Sequence, residues 1–307
     1  MLITDKKNES NIKLKERISF FEKNSPYFAK LQKSAKDIAA QNLPVLVCSK
    51  DVLMRKWFSE LVCFEKYQDV CRLVYIPCSV YSGKEVFQTI KSVSSESCII
   101  LDRIDSLSID FQNGLVDAIS NGYFEKKGIS LIAGTSENLD FLCEQNLFSK
   151  SLCFRLNLLK VNIISLNENR SEIQPLAGYF LENGCDEFGI PFKGFSDNAV
   201  LALKNHFWNG ESGELKNVVE RAIIFGEPPF VLVEDLGFEM TDYDDLASDI
   251  SQKLSEDKSL KSAVDSFKRV YVKKILEENG NNQTRTAQVL GVQRTYLARL
   301  LSELNLR

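Results

Sequence analysis

The sequence has little histidine and no paired cysteines. Its 307 residues include one histidine, His206, and eight cysteines, none of which forms a Cys-x-x-Cys pair. Most of the cysteines lie in apolar runs, as Cys98 does in CIILD. A structural zinc site needs four Cys or His ligands at close spacing. The sequence therefore predicts no metal site, and it favours reduced, buried thiols.

Long apolar runs are also absent. No stretch approaches the roughly 20 residues that a membrane-spanning helix needs, and the N-terminal MLITDKKNES is polar, unlike a secretory signal. We expect a cytoplasmic protein that associates with the nucleoid and has no membrane partner. With 44% hydrophobic residues, the chain is able to bury a large core in more than one domain.

Short apolar runs alternate with longer mixed segments through the first half of the chain. The runs are residues 45–48, 73–77, 98–102, 130–134 and 161–165. This alternation predicts a parallel sheet with helices on both faces. A short amphipathic helix is expected at 11–24, a helical stretch at about 170–225, and an acidic linker at 238–257.

The C-terminal residues carry the most informative pattern. Apolar spacing predicts two short helices, residues 284–290 and 293–304, joined by a turn at Gly291 and capped by Asn282 or Thr284. The outward positions of the second helix are polar and able to reach phosphates or base edges. The predicted contacts are Gln293, Arg294, Thr295, Tyr296 and Arg299, with support from Thr284 and Arg285. The pattern predicts a helix-turn-helix that binds double-stranded DNA.

The charge distribution agrees with this interpretation. Residues 258–307 hold ten Lys or Arg and four Asp or Glu, a net charge of +6, whereas the whole chain carries −4. The remaining residues therefore carry −10. A basic end on an acidic body is typical of a localised nucleic-acid site.

The segment from Ala287 to Leu304 reads A-x-x-L-G-V-x-R-x-Y-L-x-R-x-L-x-x-L. It resembles the Fis-type module that ends bacterial enhancer-binding proteins. An apolar stripe precedes it, formed by Leu260, Val264, Phe267, Tyr271 and Ile275. Such a stripe on a small module needs a partner, and the resemblance implies that the partner is a second copy. We expect a homodimer or higher oligomer that contacts two half-sites.

Four ordered segments of residues 25–237 are similar to a second family. They are CIILDRIDSLSIDFQNGLVDAISNGYFEK (98–126), SLIAGTSENL (130–139), FSKSLCFRLN (148–157) and WNGESGELKNVVERAII (208–224). They resemble, in turn, the Walker B, sensor I, arginine-finger and sensor II segments of the AAA+ domain of NtrC-like, sigma-54-dependent activators.

The resemblance implies an α/β fold with a parallel-sheet core and a helical lid subdomain, followed by an all-α Fis-type domain. The expected organisation is a short N-terminal helix (1–24), a degenerate AAA+ core (25–167), the lid (168–237), the acidic linker (238–257) and the helix-turn-helix domain (258–307).

Most positions that the resemblance assigns to ATP chemistry hold unsuitable residues. The phosphate loop after residue 47 reads CSKDVLMRKWF, without glycine, and Arg55 stands at the lysine position. Asp102 remains at the magnesium-binding position, but Arg103 replaces the adjacent glutamate. Ser136 stands at the sensor I asparagine, Ser149 at the first arginine finger and Gly213 at the sensor II arginine, and Arg155 keeps the second finger. Phosphoryl transfer depends on charges placed around the γ-phosphate, so we expect no ATP hydrolysis, no catalytic residue and no required cofactor.

A second phosphate-loop candidate, Gly83-Lys84-Glu85, follows the second predicted strand instead of the first. It is too close to Asp102 for the intervening elements of the family, and a surface turn is the preferred interpretation.

The segment from Cys78 to Cys98 is too short for the loop that engages sigma-54 in this family, and it lacks the GAFTGA motif. We therefore expect a sequence-specific transcription regulator that works with the housekeeping RNA polymerase holoenzyme. Two alternatives remain: a nucleoid-organising protein of low sequence specificity and a true sigma-54 activator ATPase. The AAA+ domain is either a scaffold or a cleft for a ligand that is not hydrolysed, lined by Arg55, Asp102, Arg103 and Arg155. Those four residues are equally compatible with weak surface ion pairs.

Overall fold

The computed structural model describes residues 2–238, residues 282–304, and Lys268, Arg269, Tyr271, Val272, Ile275, Leu276 and Asn279. The chain divides into two compact units, Met1–Leu236 and Gly237–Arg307. The predicted linker, apart from Phe238, and the stripe residues Leu260, Val264 and Phe267 lie outside the described residues.

The first unit is built on a five-stranded parallel sheet. Its strands are β1 (Val45–Cys48), β2 (Leu73–Pro77), β3 (Cys98–Asp102), β4 (Ser130–Thr135) and β5 (Lys160–Asn162). They lie in the order β2-β3-β4-β1-β5, and all pairs are parallel. Every residue of β3 is buried, which explains its uninterrupted apolar run. The predicted parallel sheet is confirmed.

Helices connect the strands and enclose the sheet. They are α1 (Leu2–Asn24), α2 (Pro26–Ala39), α3 (Val52–Tyr67), α4 (Gly83–Ser92), α5 (Ile109–Ser120), α6 (Tyr123–Lys126), α7 (Leu139–Glu144) and α8 (Lys150–Leu156). Side-chain caps begin several of them: Ser25 accepts from the Phe28 amide at α2, and Asp51 accepts from the Met54 amide at α3.

Two predicted elements differ from the observed ones. Helix α1 begins at Leu2, well before residue 11. Strand β5 ends at Asn162 and does not reach residue 165. Side chains take the backbone amides beyond its end: the Ile164 amide donates to the Tyr27 hydroxyl, and the Leu166 amide donates to Glu211. The chain therefore leaves the sheet early without losing hydrogen bonds.

A helical lid follows the sheet. It contains α9 (Ile173–Phe188), α10 (Asp197–Asn205) and α11 (Glu211–Phe225), as the predicted helical stretch required. A small parallel pair, β6 (Gly194–Phe195) and β7 (Phe230–Val231), was not predicted because each strand has only two residues. Trp208, between α10 and α11, is fully buried and donates through its ring nitrogen to the Leu203 carbonyl.

The second unit contains a pair of short helices, α12 (Gln283–Val289) and α13 (Arg294–Glu303). Asn282 caps α12 through bonds from the Thr284 and Arg285 amides, so Asn282 is the cap and Thr284 is not. Gly291 joins the helices with a left-handed φ of 65°, which favours glycine. Both helices lie within one residue of the predicted bounds.

Candidate functional sites

The loop after β1 has the position of a phosphate loop but not its chemistry. It consists of Ser49, Lys50 and Asp51, and helix α3 begins at once. Asp51 is buried, and one of its carboxylate oxygens accepts from the Met54 amide at 3.0 Å. A helix N-terminus attracts phosphate because its amides are free. Here a carboxylate already caps it and would repel a second anion.

Arg55 and Asp102 form a buried ion pair beside this loop. The Arg55 Nε donates to Asp102 Oδ1 at 2.6 Å, and its Nη2 donates to Oδ2 at 3.0 Å. Arg55 is fully buried, and Asp102 is 3% exposed. The hypothesis of weak surface ion pairs is therefore wrong for these two residues. Bidentate pairing of an arginine with a carboxylate is strong and directional.

Two further groups complete the pair. The Tyr75 hydroxyl donates to Asp102 Oδ2 at 2.7 Å, and Arg55 Nη1 donates to the Ser49 carbonyl. Burial raises the pKa of Tyr75, and its hydrogen bond to Asp102 raises that pKa further, so the phenol keeps its proton at neutral pH. Both carboxylate oxygens of Asp102 are thus engaged by protein donors. A magnesium ion does not fit this arrangement unless Arg55 leaves.

The other predicted cleft residues have different side-chain partners or none within the part of the chain that the structure describes. Arg103 has a left-handed backbone and is 3.1 Å from Asp105, and Ser136 donates to Glu137 at 3.1 Å. Arg155 lies half-buried on α8, and Gly213 lies in the first turn of α11. Within the described residues, hydrogen bonds and ion pairs therefore join only two of the four predicted lining residues. Arg55 and Asp102 meet, whereas Arg103 and Arg155 are not bonded to either.

The gap between the β1 loop and the lid is closed. The Ser212 amide donates to Asp51 Oδ2 at 3.1 Å, and the Ser212 hydroxyl bonds to the same oxygen. The cavity beside this contact has a volume of only about 20 Å³. That is room for about one water molecule and far below the roughly 300–1,000 Å³ of a typical small-molecule pocket.

The segment Gly83-Lys84-Glu85 begins a helix, so its interpretation as a surface turn was wrong. Ser82 and Glu85 form a capping box at the start of α4, and Lys84 is exposed. Gly83 is required by packing, because a Cβ there would lie 2.1 Å from the Phe111 ring. The segment follows β2, away from the β1 loop.

The helix pair of the second unit has one buried and one exposed face. Val272, Leu276, Ala287, Leu297 and Leu301 form its core, with Leu290, Val292 and Leu300 packed against them. All seven predicted contact residues are exposed: Thr284, Arg285, Gln293, Arg294, Thr295, Tyr296 and Arg299. The Arg299 guanidinium lies 5.6 Å from the centre of the Tyr296 ring, and its Nε is 3.2 Å from Glu303. Gln293, Arg294, Thr295 and Tyr296 lie at the start of α13 and Arg299 lies one turn further on, whereas Thr284 and Arg285 lie in the first turn of α12.

Comparison with known proteins identifies the first unit. Residues 23–166 match the sigma-54 interaction domain, and residues 167–256 match the AAA+ ATPase lid domain. The regulatory protein AtoC of Escherichia coli is 27% identical over 218 residues, which cover 68% of this chain and 47% of AtoC. The transcriptional regulator NtrC of Proteus hauseri is 24% identical over 234 residues, 68% of this chain and 50% of NtrC. The chain spans about half the length of these relatives.

This part of the chain is homologous to NtrC- and AtoC-type sigma-54 activators. The crystal structure of NtrX from Brucella abortus in complex with ATP has the same fold, with a TM-score of 0.65 at 18% identity, covering 99% of this chain and 74% of NtrX. The AAA+ core and helical lid expected from the sequence are confirmed. None of the described helices is long and apolar enough to cross a membrane.

Within the first unit, the sequence-based prediction missed Tyr75 and Asp51 of the core and Ser212 of the lid. Tyr75 lies in an apolar strand, and its hydroxyl has a partner only because β2 and β3 pair with Pro77 opposite Asp102. Asp51 carried a local signal, since an aspartate before an apolar run is a typical helix cap. Nothing local marks Ser212, which lies 161 residues from its partner Asp51.

Proposed function

We propose that this chain is a sequence-specific DNA-binding transcription regulator whose AAA+ domain neither binds magnesium with Asp102 nor hydrolyses ATP. The exposed polar face at the start of α13 carries this proposal. Gln293, Arg294, Thr295 and Tyr296 are consecutive and exposed, whereas Leu297 behind them is fully buried. A short helix fixed by its apolar side and polar at its N-terminal end is the form of a recognition helix in a major groove.

Two arginines on α12 and α13 supply base-edge or phosphate contacts in this proposal. Arg294 lies at the first position of α13 and Arg285 in the first turn of α12. Arginine pairs with guanine in bidentate fashion, which makes it the commonest specific contact to DNA. Arg299 contacts Glu303 through its Nε and lies near the Tyr296 ring, so in this proposal its terminal nitrogens contact a phosphate when DNA binds.

Assembly as a homodimer follows from the resemblance to the Fis-type module. Val272 and Leu276 are buried against the helix pair, and Tyr271, on the predicted stripe, is 42% exposed. An aromatic ring at this exposed position suits contact with a second copy. A dimer presents two copies of α13 to half-sites about one helical turn of DNA apart.

The buried pair between Arg55 and Asp102 supports the absence of ATP hydrolysis. A hydrolytic site needs a free carboxylate for magnesium and free amides for phosphate. Arg55 and Tyr75 occupy Asp102, and Asp51 caps α3. We therefore propose that the domain is a scaffold. The cavity of about 20 Å³ disfavours the alternative of a ligand that is bound without turnover.

The choice of polymerase follows from the segment between β2 and β3. Helix α4 and its capping box occupy much of this segment, leaving Cys78–Ser82 before it and Val93–Ser97 after it. Neither connection has the length or the motif of a sigma-54-engaging loop. We propose that the housekeeping RNA polymerase holoenzyme is the partner.

A genome-wide map of bound sites in cells tests the DNA-binding proposal. We expect a few discrete sites that share a two-fold motif near promoters. Titration of one such site against unrelated DNA should then give a specificity ratio of about 10³ or more at physiological salt. Broad occupancy without a motif, and a ratio near one, would instead support a nucleoid-organising protein.

A turnover assay tests the second part of the proposal. Purified full-length protein with magnesium and ATP should release phosphate no faster than its Asp102→Asn variant. ATP hydrolysis that this substitution abolishes would restore the sigma-54 activator interpretation.

A further inference from the structure

Helix α1 packs along one side against the AAA+ core and its lid. Leu14, Arg17 and Phe21 repeat at spacings of three and four residues, and all three are buried. This spacing places them on one face of the helix. The face is unusual because it contains a buried arginine.

Arg17 and Asn11 attach α1 to the core. The Arg17 guanidinium lies 4.4 Å from the centre of the Trp57 ring, and its Nη2 donates to Glu60 at 2.5 Å. Both partners lie on α3. Asn11 bonds to Asp69 and to the Val70 amide just after α3. These are directional contacts that fix the helix in register.

Phe20 and Phe21 attach the same helix to the lid. Their ring centres lie 5.4 and 5.0 Å from that of Tyr179 on α9. Tyr179 in turn lies 5.4 Å from Trp57 of the core in an edge-to-face arrangement. Rings at these separations attract one another. A single aromatic cluster thus joins α1, the core helix α3 and the lid helix α9.

The turn between α1 and α2 adds two polar links. Ser25 caps α2, and its hydroxyl also donates to the buried carboxylate of Glu172, which directly precedes α9. Tyr27 accepts from the Ile164 amide in the connection between core and lid. Phe21 and Phe28 line the small cavity at this junction together with Asp51 and Ser212. The N-terminal helices therefore reach the junction that a nucleotide-binding cleft would use.

We propose that α1 is an intramolecular clamp that holds the lid on the core, so that the closed arrangement of the body needs no nucleotide. The clamp rests on the proposed function, because it presupposes a cleft that takes no ATP. Phe21 fills the junction from the N-terminal side, and the bond between Asp51 and Ser212 closes it from the side of the β1 loop. The lid then keeps one orientation at all ATP concentrations.

Hydrogen–deuterium exchange of the full-length protein tests the clamp. Phe20→Ala removes a half-buried ring that faces the lid, and Arg17→Met removes the core contact while keeping the length of the side chain. In each variant, amides of α9 and α11 should exchange at least about tenfold faster, because local opening becomes easier. Amides of β3 and β4 should keep their rates. Ile12→Ala is the matched control, since Ile12 lies on α1 and is 54% exposed.

Each outcome has a separate meaning. Unchanged exchange in α9 and α11 would overturn the clamp and leave the proposed function intact. Faster exchange in β3 to the same degree would also overturn it, since α1 would then support the whole fold. Magnesium and ATP should not alter exchange in the wild-type protein. Slower exchange of the lid on adding ATP would show that nucleotide reaches the cleft, and it would contradict both the clamp and the scaffold role.

Discussion

Two arginines, one in each unit of this protein, have opposite environments. In the AAA+ core, Arg55 is fully buried and bonded to Asp102 and Ser49. In the C-terminal unit, Arg294 is exposed at the start of α13. A buried arginine is held by its partners and contributes to the fold, whereas an exposed one at a helix N-terminus is available to a ligand. The difference separates a buried ion pair within the fold from an exposed side chain that, under the proposed function, contacts DNA.

Breaking the buried pair should have the largest effect. Arg55→Ala leaves the Asp102 carboxylate buried without its cation, which should lower the free energy of unfolding by about 3–5 kcal/mol. Urea denaturation followed by circular dichroism measures this change. The double variant Arg55→Met with Asp102→Leu should recover most of the loss, since no charge is then buried alone. A loss below about 1 kcal/mol for Arg55→Ala would show that the pair is not a structural element.

Removing the exposed arginine should change binding and not stability. Arg294→Ala should weaken specific DNA binding by about 1–3 kcal/mol and relax the preference at one base pair. Fluorescence anisotropy with a mapped site and its single-base variants measures both effects. Lys36→Ala, which removes an exposed positive charge from α2 of the body, is the control and should bind as the wild type does. If Arg294→Ala binds unchanged, Arg294 does not contact DNA.

Two glycines of the first unit sharpen the comparison between a packed and an open position. A Cβ at Gly134 would lie 2.5 Å from Asp102 Oδ1, whereas one at Gly213 would meet nothing within 4 Å. Gly134→Ala should destabilise the fold by about 1–3 kcal/mol through overpacking. Gly213→Ala should stabilise it by up to about 1 kcal/mol, since alanine favours a helix. Thermal unfolding of both variants measures the two changes in stability. A change in the same direction for both would contradict the distances at the two glycines.

The smallest expected effect concerns Glu172. Burial raises the pKa of this carboxyl, although the hydrogen bond from Ser25 opposes the shift. When a carboxyl has a higher pKa in the folded than in the unfolded protein, its protonated form stabilises the fold. That contribution is complete below the unfolded pKa and is lost as pH rises through the folded pKa. The side chain of Glu172→Gln stays neutral at every pH. The melting temperature of this variant minus that of the wild type should therefore increase by roughly a few degrees from pH 4 to pH 8. A constant difference across this range would contradict the raised pKa.

Local sequence signals predicted the elements of both units well. The strands follow short apolar runs, and α12 and α13 follow an Asn cap, a glycine turn and apolar residues at helical spacing. The failures occur where a distant residue intervenes. Beyond the end of strand β5, Tyr27 and Glu211 accept hydrogen bonds from the amides of Ile164 and Leu166. Strands β6 and β7 have two residues each, too few to show an alternation of apolar and polar residues.

The candidate sites divide in the same way. The sequence placed Thr284, Arg285 and the polar start of α13 on an outer face, since helical spacing alone decides which side chains point away from a core. Through the family resemblance it also identified Arg55 at the lysine position and Asp102 at the magnesium-binding position of the cleft. It did not predict that they bond to one another, because 47 residues separate them and only the pairing of β1 and β3 with β4 brings them together.

Residue types and their spacing were enough to predict the parallel sheet, the bounds of the C-terminal helices, the basic charge of that end and the absence of glycine from the loop after β1. These features depend on residue type and short-range periodicity. The packing of the folded chain was needed to show that Arg55 pairs with Asp102, that Ser212 bonds to Asp51 at the junction, and that α1 contacts both core and lid. Such contacts join residues far apart in the chain, and whether a charge is buried or exposed depends on everything that packs around it.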